Sequence, residues 1–241
     1  MASQLDLPWA RTWAAAMVRE AVQRIVLIPL LNYYTRRRAV GRELISQVNG
    51  PVILAANHTS HIDTPIILSA LPRKLRRRTA VAAATDYFYR NKFIASLVSL
   101  IFNTVPIDRS GAGLSKQASR HLDRLIDQGW SLLVYPEGTR SRSGGPGRVR
   151  RGAAVLAQRH QVPVVPIRIT GSRKAMPPGR FWPRRIRGPH YSKPHRIQIA
   201  FGEPIDSSKE PSEVAERMQS FFENGGEDPS PSLRDRVART Y

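Results

Sequence analysis

Short apolar runs alternate with helix-length segments along most of this chain, and that alternation admits few folds. Residues 52–56, 79–84, 104–107, 130–135, 162–170 and 196–201 read as strands. Residues 65–71, 91–102, 115–128, 152–160 and 211–223 read as helices, with Gly129 as a stop signal for the third. Strands separated by helices predict an α/β fold with a largely parallel central sheet flanked by helices. An N-terminal amphipathic helical unit precedes it at residues 7–34, with Pro29 expected to break or kink the helix. Trp9, Trp13, Tyr33 and Tyr34 beside arginines suit a helix lying in a membrane interface. The same helix packed on the protein's own core is the alternative. The chain thus divides into an N-terminal unit (1–38), a main domain (39–223) and a flexible linker and tail (224–241) that opens on Gly225 and Gly226.

The strand at 52–56 runs straight into Asn57-His58-Thr59-Ser60-His61-Ile62-Asp63. A carboxylate bonded to one imidazole nitrogen fixes the tautomer and leaves the other nitrogen free to accept a proton. On a continuous helix, residues five apart point roughly 140° away from each other. His58 and Asp63 therefore meet only if His58 lies in the strand-to-helix turn and Asp63 in the first helical turn, where Pro65 is tolerated. Other readings stay open on these residues alone. The pair suits a purely structural contact, His61 is an alternative partner for Asp63, and His58, His61 and Asp63 loosely resemble a metal-ligand cluster.

Charge narrows the partners. The 241 residues carry a net charge of +20, and between Glu137 and Glu203 there are fifteen Lys or Arg and no acidic residue. Arg36-Arg37-Arg38 and Arg73-Lys74-Leu75-Arg76-Arg77-Arg78 add two clusters. Such a surface calls for a polyanion: nucleic acid, anionic lipid or a phosphorylated substrate. Against a nucleic-acid-binding protein stands the want of any zinc, helix-turn-helix or stacking-platform pattern. With no cysteine, disulfides and thiolate chemistry are excluded. We expect no signal peptide and no spanning helix, because no apolar run reaches the roughly 18–20 residues a bilayer requires.

Three further polar clusters fall at strand ends: Ile107-Asp108-Arg109, Tyr135-Pro136-Glu137-Gly138-Thr139-Arg140 and Thr170-Gly171-Ser172. Ligands favour the carboxyl ends of strands in such sheets. Arg109 and Arg140 carry the forked donors that suit phosphate, and Gly138 permits close backbone approach.

Taken in order, these motifs resemble those of the glycerolipid acyltransferases, and of the 1-acyl-sn-glycerol-3-phosphate acyltransferase family in particular. His58 to Asp63 is similar to the His-x4-Asp motif, with Asn57 a frequent companion. Ile107-Asp108-Arg109 resembles the second motif, residues 135–140 the third, and Val162-Pro163-Val164-Val165-Pro166-Ile167 the fourth. The resemblance covers about residues 40–205 and makes 39–223 an acyltransferase domain. It implies transfer of a fatty acyl group from acyl-coenzyme A or acyl carrier protein to a lysophospholipid hydroxyl, with no metal or other cofactor.

His58 would be the base and Asp63 its orienting carboxylate, which makes His61 a bystander. Arg109 would hold the acceptor phosphate, with Asn57, Glu137, Gly138, Thr139 and Arg140 around it. Glu137 is expected to position arginines or acceptor hydroxyls. Relatives often carry a lysine between the first two motifs, and residues 81–87 here contain none. Where relatives show Lys-x-Gly after the third motif, Arg150-Arg151-Gly152 stands, and Arg151 would substitute. A different lysolipid acceptor is the alternative that the lysine's absence suggests. The implied location is the cytoplasmic face of an anionic membrane, held peripherally and without specific nucleic-acid contact.

Overall fold

The computed structural model describes residues 6–84, 91–107, 109–110, 113–114, 116–141 and 145–225. Eleven strands are found among them. They are β1 (Thr35–Val40), β2 (Ile53–Ala56), β3 (Thr79–Ala84), β4 (Thr104–Ile107), β5 (Arg109–Ser110), β6 (Gly113–Leu114), β7 (Ser131–Val134), β8 (Val164–Thr170), β9 (Ile186–Gly188), β10 (Tyr191–Lys193) and β11 (His195–Phe201). Seven of them form one sheet in the order β1-β11-β8-β2-β7-β3-β4. The five strands from β8 to β4 are mutually parallel, while β11 runs antiparallel to β8 and carries β1 parallel at the edge. Short β5/β6 and β9/β10 hairpins stand outside it.

Both faces of the sheet are covered, as near-continuous apolar strands require. Leu54 and Ala56 join one core with Ile66 and Ile67 of α4 (Asp63–Ala70). Ile53 and Ala55 join the other with α7 (Lys116–Asp127), α8 (Gly152–His160) and α10 (Pro211–Asn224), through Leu122, Leu156 and Met218. The predicted largely parallel α/β sheet is present, and its strand and helix spans agree with the sequence reading to within a residue or two. Gly129 ends α7 at φ +79°.

The N-terminal helix differs from expectation. Before it come a short 3-10 turn, Pro8–Arg11, and Thr12, whose hydroxyl accepts from the Ala15 amide. The helix then runs through α1 (Trp13–Val22), a π turn (Gln23–Leu27) and α2 (Ile28–Tyr34). Pro29 does not break it. The wider π register, with the Ile28 amide bonded to the Gln23 carbonyl, takes up a residue that cannot donate.

The helix also buries its polar side. Arg19 is 5% exposed; Nε donates 2.8 Å to the Leu100 carbonyl, and the guanidinium also reaches the Ala10 carbonyl. Gln23 donates 2.7 Å to the Ile101 carbonyl. The Leu100 and Ile101 carbonyls are among the orphan carbonyls at the end of α6 (Lys92–Phe102), which side chains satisfy when no further turn does. Burial and the charge of Arg11 pull Arg19 down to about 10, so it stays a cation at neutral pH. Glu20 is buried beside them and pairs with Arg73. The apolar side is left outward: Trp13 and Ile25 are each 74% exposed, with Met17, Val18 and Val26, and with Phe93, Ile94 and Leu97 on neighbouring α6.

The Arg36-Arg37-Arg38 cluster lies in β1, which straddles the 38/39 boundary drawn from sequence. Three arginines are tolerated there because an edge strand has one open side. No helix among the described residues is long and apolar enough to cross a membrane. Residues 226–241, most of the expected linker and tail, lie outside the described residues, as do Asp108 and residues 85–87 of the lysine-free stretch.

Candidate active site

The connections after β2 and β7 leave the sheet toward opposite faces, one into α4 and the other toward α8. Such a reversal opens a crevice at the carboxyl ends of parallel strands. Register Ala55↔Val134 sets the residues just beyond each strand side by side. His58 and Tyr135 consequently stack, with ring centroids 4.0 Å apart and planes at 20°. The Tyr135 hydroxyl is 2.7 Å from Thr64 Oγ1, and burial, then the charge of Asp63, pushes its phenol up, which keeps it protonated.

His58 sits in the turn after β2, and Asp63 begins α4, as the spacing argument requires. His58 Nδ1 is 2.9 Å from Asp63 Oδ2, and the Asp63 side chain is fully buried. The same oxygen accepts from the Thr59 amide at 2.7 Å and the Ser60 amide at 2.8 Å. Three donors on one oxygen hold the carboxylate in a single orientation. Because a carboxylate accepts, Nδ1 carries the proton and Nε2 keeps its lone pair.

His61 is a different group. Burial, then the nearby charges of Arg140 and His58, pulls it down to about 4, so it is neutral under ordinary conditions. Among the described residues no set of three or more His, Asp or Glu side chains is placed to hold a metal ion.

Glu137 departs from its expected role. Its Oε1 accepts from the His58 amide at 3.1 Å and its Oε2 from the Gly147 amide at 3.0 Å. Burial pushes its carboxyl up against those two hydrogen bonds. Among the described residues its hydrogen bonds go to backbone, which it braces. The Ser141 amide adds a bond to the His58 carbonyl at 2.8 Å, so the loop after β7 holds the histidine from both sides of its peptide. Gly138 has φ +80°, and a Cβ there would lie 3.2 Å from Arg150 Cζ.

Asn57 also departs from expectation. Its Nδ2 donates to the Ile169 carbonyl at 3.0 Å and its Oδ1 accepts from the Ile169 amide at 2.7 Å. Both ends of the side chain are spent on clamping β2 to β8, which positions the loop. Thr139 is exposed on the β7 loop, Arg140 is half-buried beside it, and Arg151 is exposed where α8 starts. Arg109 follows β4 on the short β5 strand; its side chain lies outside the described part. Sequence reasoning set Tyr135 in one of the strand-end clusters but gave it no role beside His58; its position one residue past a strand neighbouring β2 is the signal that finds it.

An α/β sheet with a histidine–carboxylate pair at its switch point sets an imidazole lone pair beside the crevice, the arrangement a general base requires. The family model that matches residues 36–170 is described as Acyltransferase, and the chain belongs to that family. A chloroplastic 1-acyl-sn-glycerol-3-phosphate acyltransferase, BAT2 of Brassica napus, is 29% identical over 139 residues, 58% of this chain and 38% of that protein. A probable 1-acyl-sn-glycerol-3-phosphate acyltransferase of Mycoplasma pneumoniae is 30% identical over 159 residues, 64% of this chain and 57% of that one. The matches thus span from about a third to somewhat over half of these relatives' lengths. The crystal structure of PlsC, the 1-acyl-sn-glycerophosphate acyltransferase of Thermotoga maritima, shares the fold. Its TM-score is 0.62 at 24% identity, covering 86% of this chain and 80% of that one.

Proposed function

We propose that this protein transfers a fatty acyl group from a thioester to the hydroxyl of a lysophospholipid, with 1-acylglycerol-3-phosphate as acceptor and phosphatidate as product. The observation that carries the reading is the His58–Asp63 pair, held at 2.9 Å with Nε2 left as the base. Nε2 takes the acceptor hydroxyl's proton as its oxygen attacks the thioester carbonyl. Asp63 stabilises the imidazolium that forms. When the tetrahedral intermediate collapses, the carbon–sulfur bond breaks and the imidazolium returns its proton to the leaving thiolate. The reaction as written draws on no cofactor. Arg140, Arg151 and Arg109 supply cations for the acceptor phosphate, with Gly138 and Thr139 shaping the loop around it.

The outward apolar side of α1, the π turn and α6 supports a peripheral position on the anionic cytoplasmic face of a membrane, aided by the basic clusters at about 1 kcal/mol per residue. The lysine-free stretch at 81–87 favours one second reading, the same chemistry on a different lysolipid acceptor. Thiol release from oleoyl-coenzyme A tests the proposal. It should require both lysophosphatidate and His58. Release that persists in His58→Ala would defeat the mechanism, and release driven only by another lysolipid would move the acceptor.

A further inference from the structure

The segment joining β8 to β11 takes no part in the chemistry above, yet it builds a cavity of its own. It leaves the site through α9 (Ser172–Ala175), where Ser172 Oγ is 3.0 Å from Thr59 Oγ1 and the Met176 carbonyl accepts from Ser60 Oγ at 2.7 Å. It then turns through the β9/β10 hairpin and folds back on the end of α2. Trp182 Nε1 donates to the Tyr34 hydroxyl at 2.8 Å. Arg185 lies 4.5 Å over the Tyr33 ring and bonds to Ser192 and to the Tyr33 carbonyl. The cavity so formed, about 680 Å³, is lined by Arg180, Arg184 and Arg187, by Trp182 and Tyr33, and by His195. None of its lining residues is acidic. His195 is 8% exposed, and its Nε2 has no hydrogen-bond partner among the described residues.

Its place in the sheet is informative. Gln198 pairs with Thr170 in the antiparallel β11/β8 ladder, so His195 lies three residues beyond the carboxyl end of β8. That is the same end of the sheet as His58. In the order β2-β8-β11-β1, neighbours are roughly 4.8 Å apart, so the cavity lies about 10–15 Å across the sheet from β2.

We propose that this cavity receives the 3′-phosphoadenosine diphosphate end of an acyl-coenzyme A donor, whose pantetheine arm extends to His58. The proposal rests on the acyl-transfer reading. Forked guanidinium groups match phosphate oxygens, aromatic faces stack on a purine, and the volume falls within the range of small-molecule sites. A carrier-protein donor has the pantetheine arm but no nucleotide, so this cavity selects coenzyme A. A lipid headgroup shares the phosphate but has no purine.

The test uses the 241-residue chain and an Arg180→Ser/Arg187→Ser variant, made at two exposed arginines. Adenosine 3′,5′-bisphosphate should bind wild type in calorimetry and compete with acyl-coenzyme A, and the variant should lose that binding. Two lost charge-assisted contacts should reduce the preference for acyl-coenzyme A over acyl-pantetheine by about tenfold or more, read as a change in KM ratio. The proposal is overturned if wild type does not bind the bisphosphate, or if the variant keeps its donor preference. It is also overturned if the variant loses only co-sedimentation with phosphatidate vesicles, which would assign the cavity to headgroups. Should wild type turn over neither donor, the acyl-transfer reading fails by itself, and bisphosphate binding still decides the cavity.

Discussion

The loop after β2 and the N-terminal helix both bury charged side chains, but for opposite ends. At the site, buried Asp63 and Glu137 accept from backbone amides, and the result is a fixed base. In the helix, buried Arg19 and Gln23 donate to backbone carbonyls of α6, and the result is an apolar surface turned outward. In both places the buried polar group completes hydrogen bonds that the main chain leaves open, as burial requires. What differs is the feature each releases. One presents a lone pair to a crevice, and the other presents tryptophan and isoleucine to the surroundings.

The comparison breaks most visibly at the base. His58→Ala should lower kcat by about 10²–10⁴ while the thermal midpoint moves little, read by steady-state thiol release and calorimetry. Next comes the helix anchor. Arg19→Met strands the Leu100 carbonyl and should reduce stability by about 1–3 kcal/mol in urea titration, with kcat per folded molecule kept. The exposed side should behave in the reverse way. Trp13→Ser with Ile25→Ser should change stability by no more than about 0.5 kcal/mol yet weaken co-sedimentation with anionic vesicles. A larger stability loss from that pair than from Arg19→Met would show that the helix is packed the other way round.

The last effect, an acid limb, is confined to acid and is absent at neutral pH. His61 titrates near 4 when folded and at its ordinary value of 6.5 when unfolded, so the unfolded chain binds more protons between those values. Stability should therefore fall as pH drops from 6.5 toward 4. His61→Gln should flatten that limb in midpoint measurements across the same range.

Much of this molecule is legible in the chain because its parallel strands are buried on both faces and read as unbroken apolar runs. The His58–Asp63 contact was legible for a similar reason: strand, turn and helix start are local, and their geometry follows from counting residues. β1 was not legible. Its three arginines mask a strand that exists only because β11, some 160 residues further on in the register Thr35↔His195, offers it an edge. The outward face of the N-terminal helix was hidden too. Periodicity shows that a helix has two sides, but only the carbonyls ending α6 decide which side turns inward. The backbone contacts of Asn57 and Glu137 were not legible because their partners, the peptide groups of Ile169, His58 and Gly147, carry no residue-type signature.

The two oxygens of Glu137 tie the peptide of the base to the loop that carries Gly138 and Arg140. Histidine and loop are thereby parts of one rigid frame, assembled when the chain folds. On the proposed function, an acceptor docking on that loop would meet the lone pair already aimed, so the ordering entropy of the base would be settled once per molecule and not once per turnover.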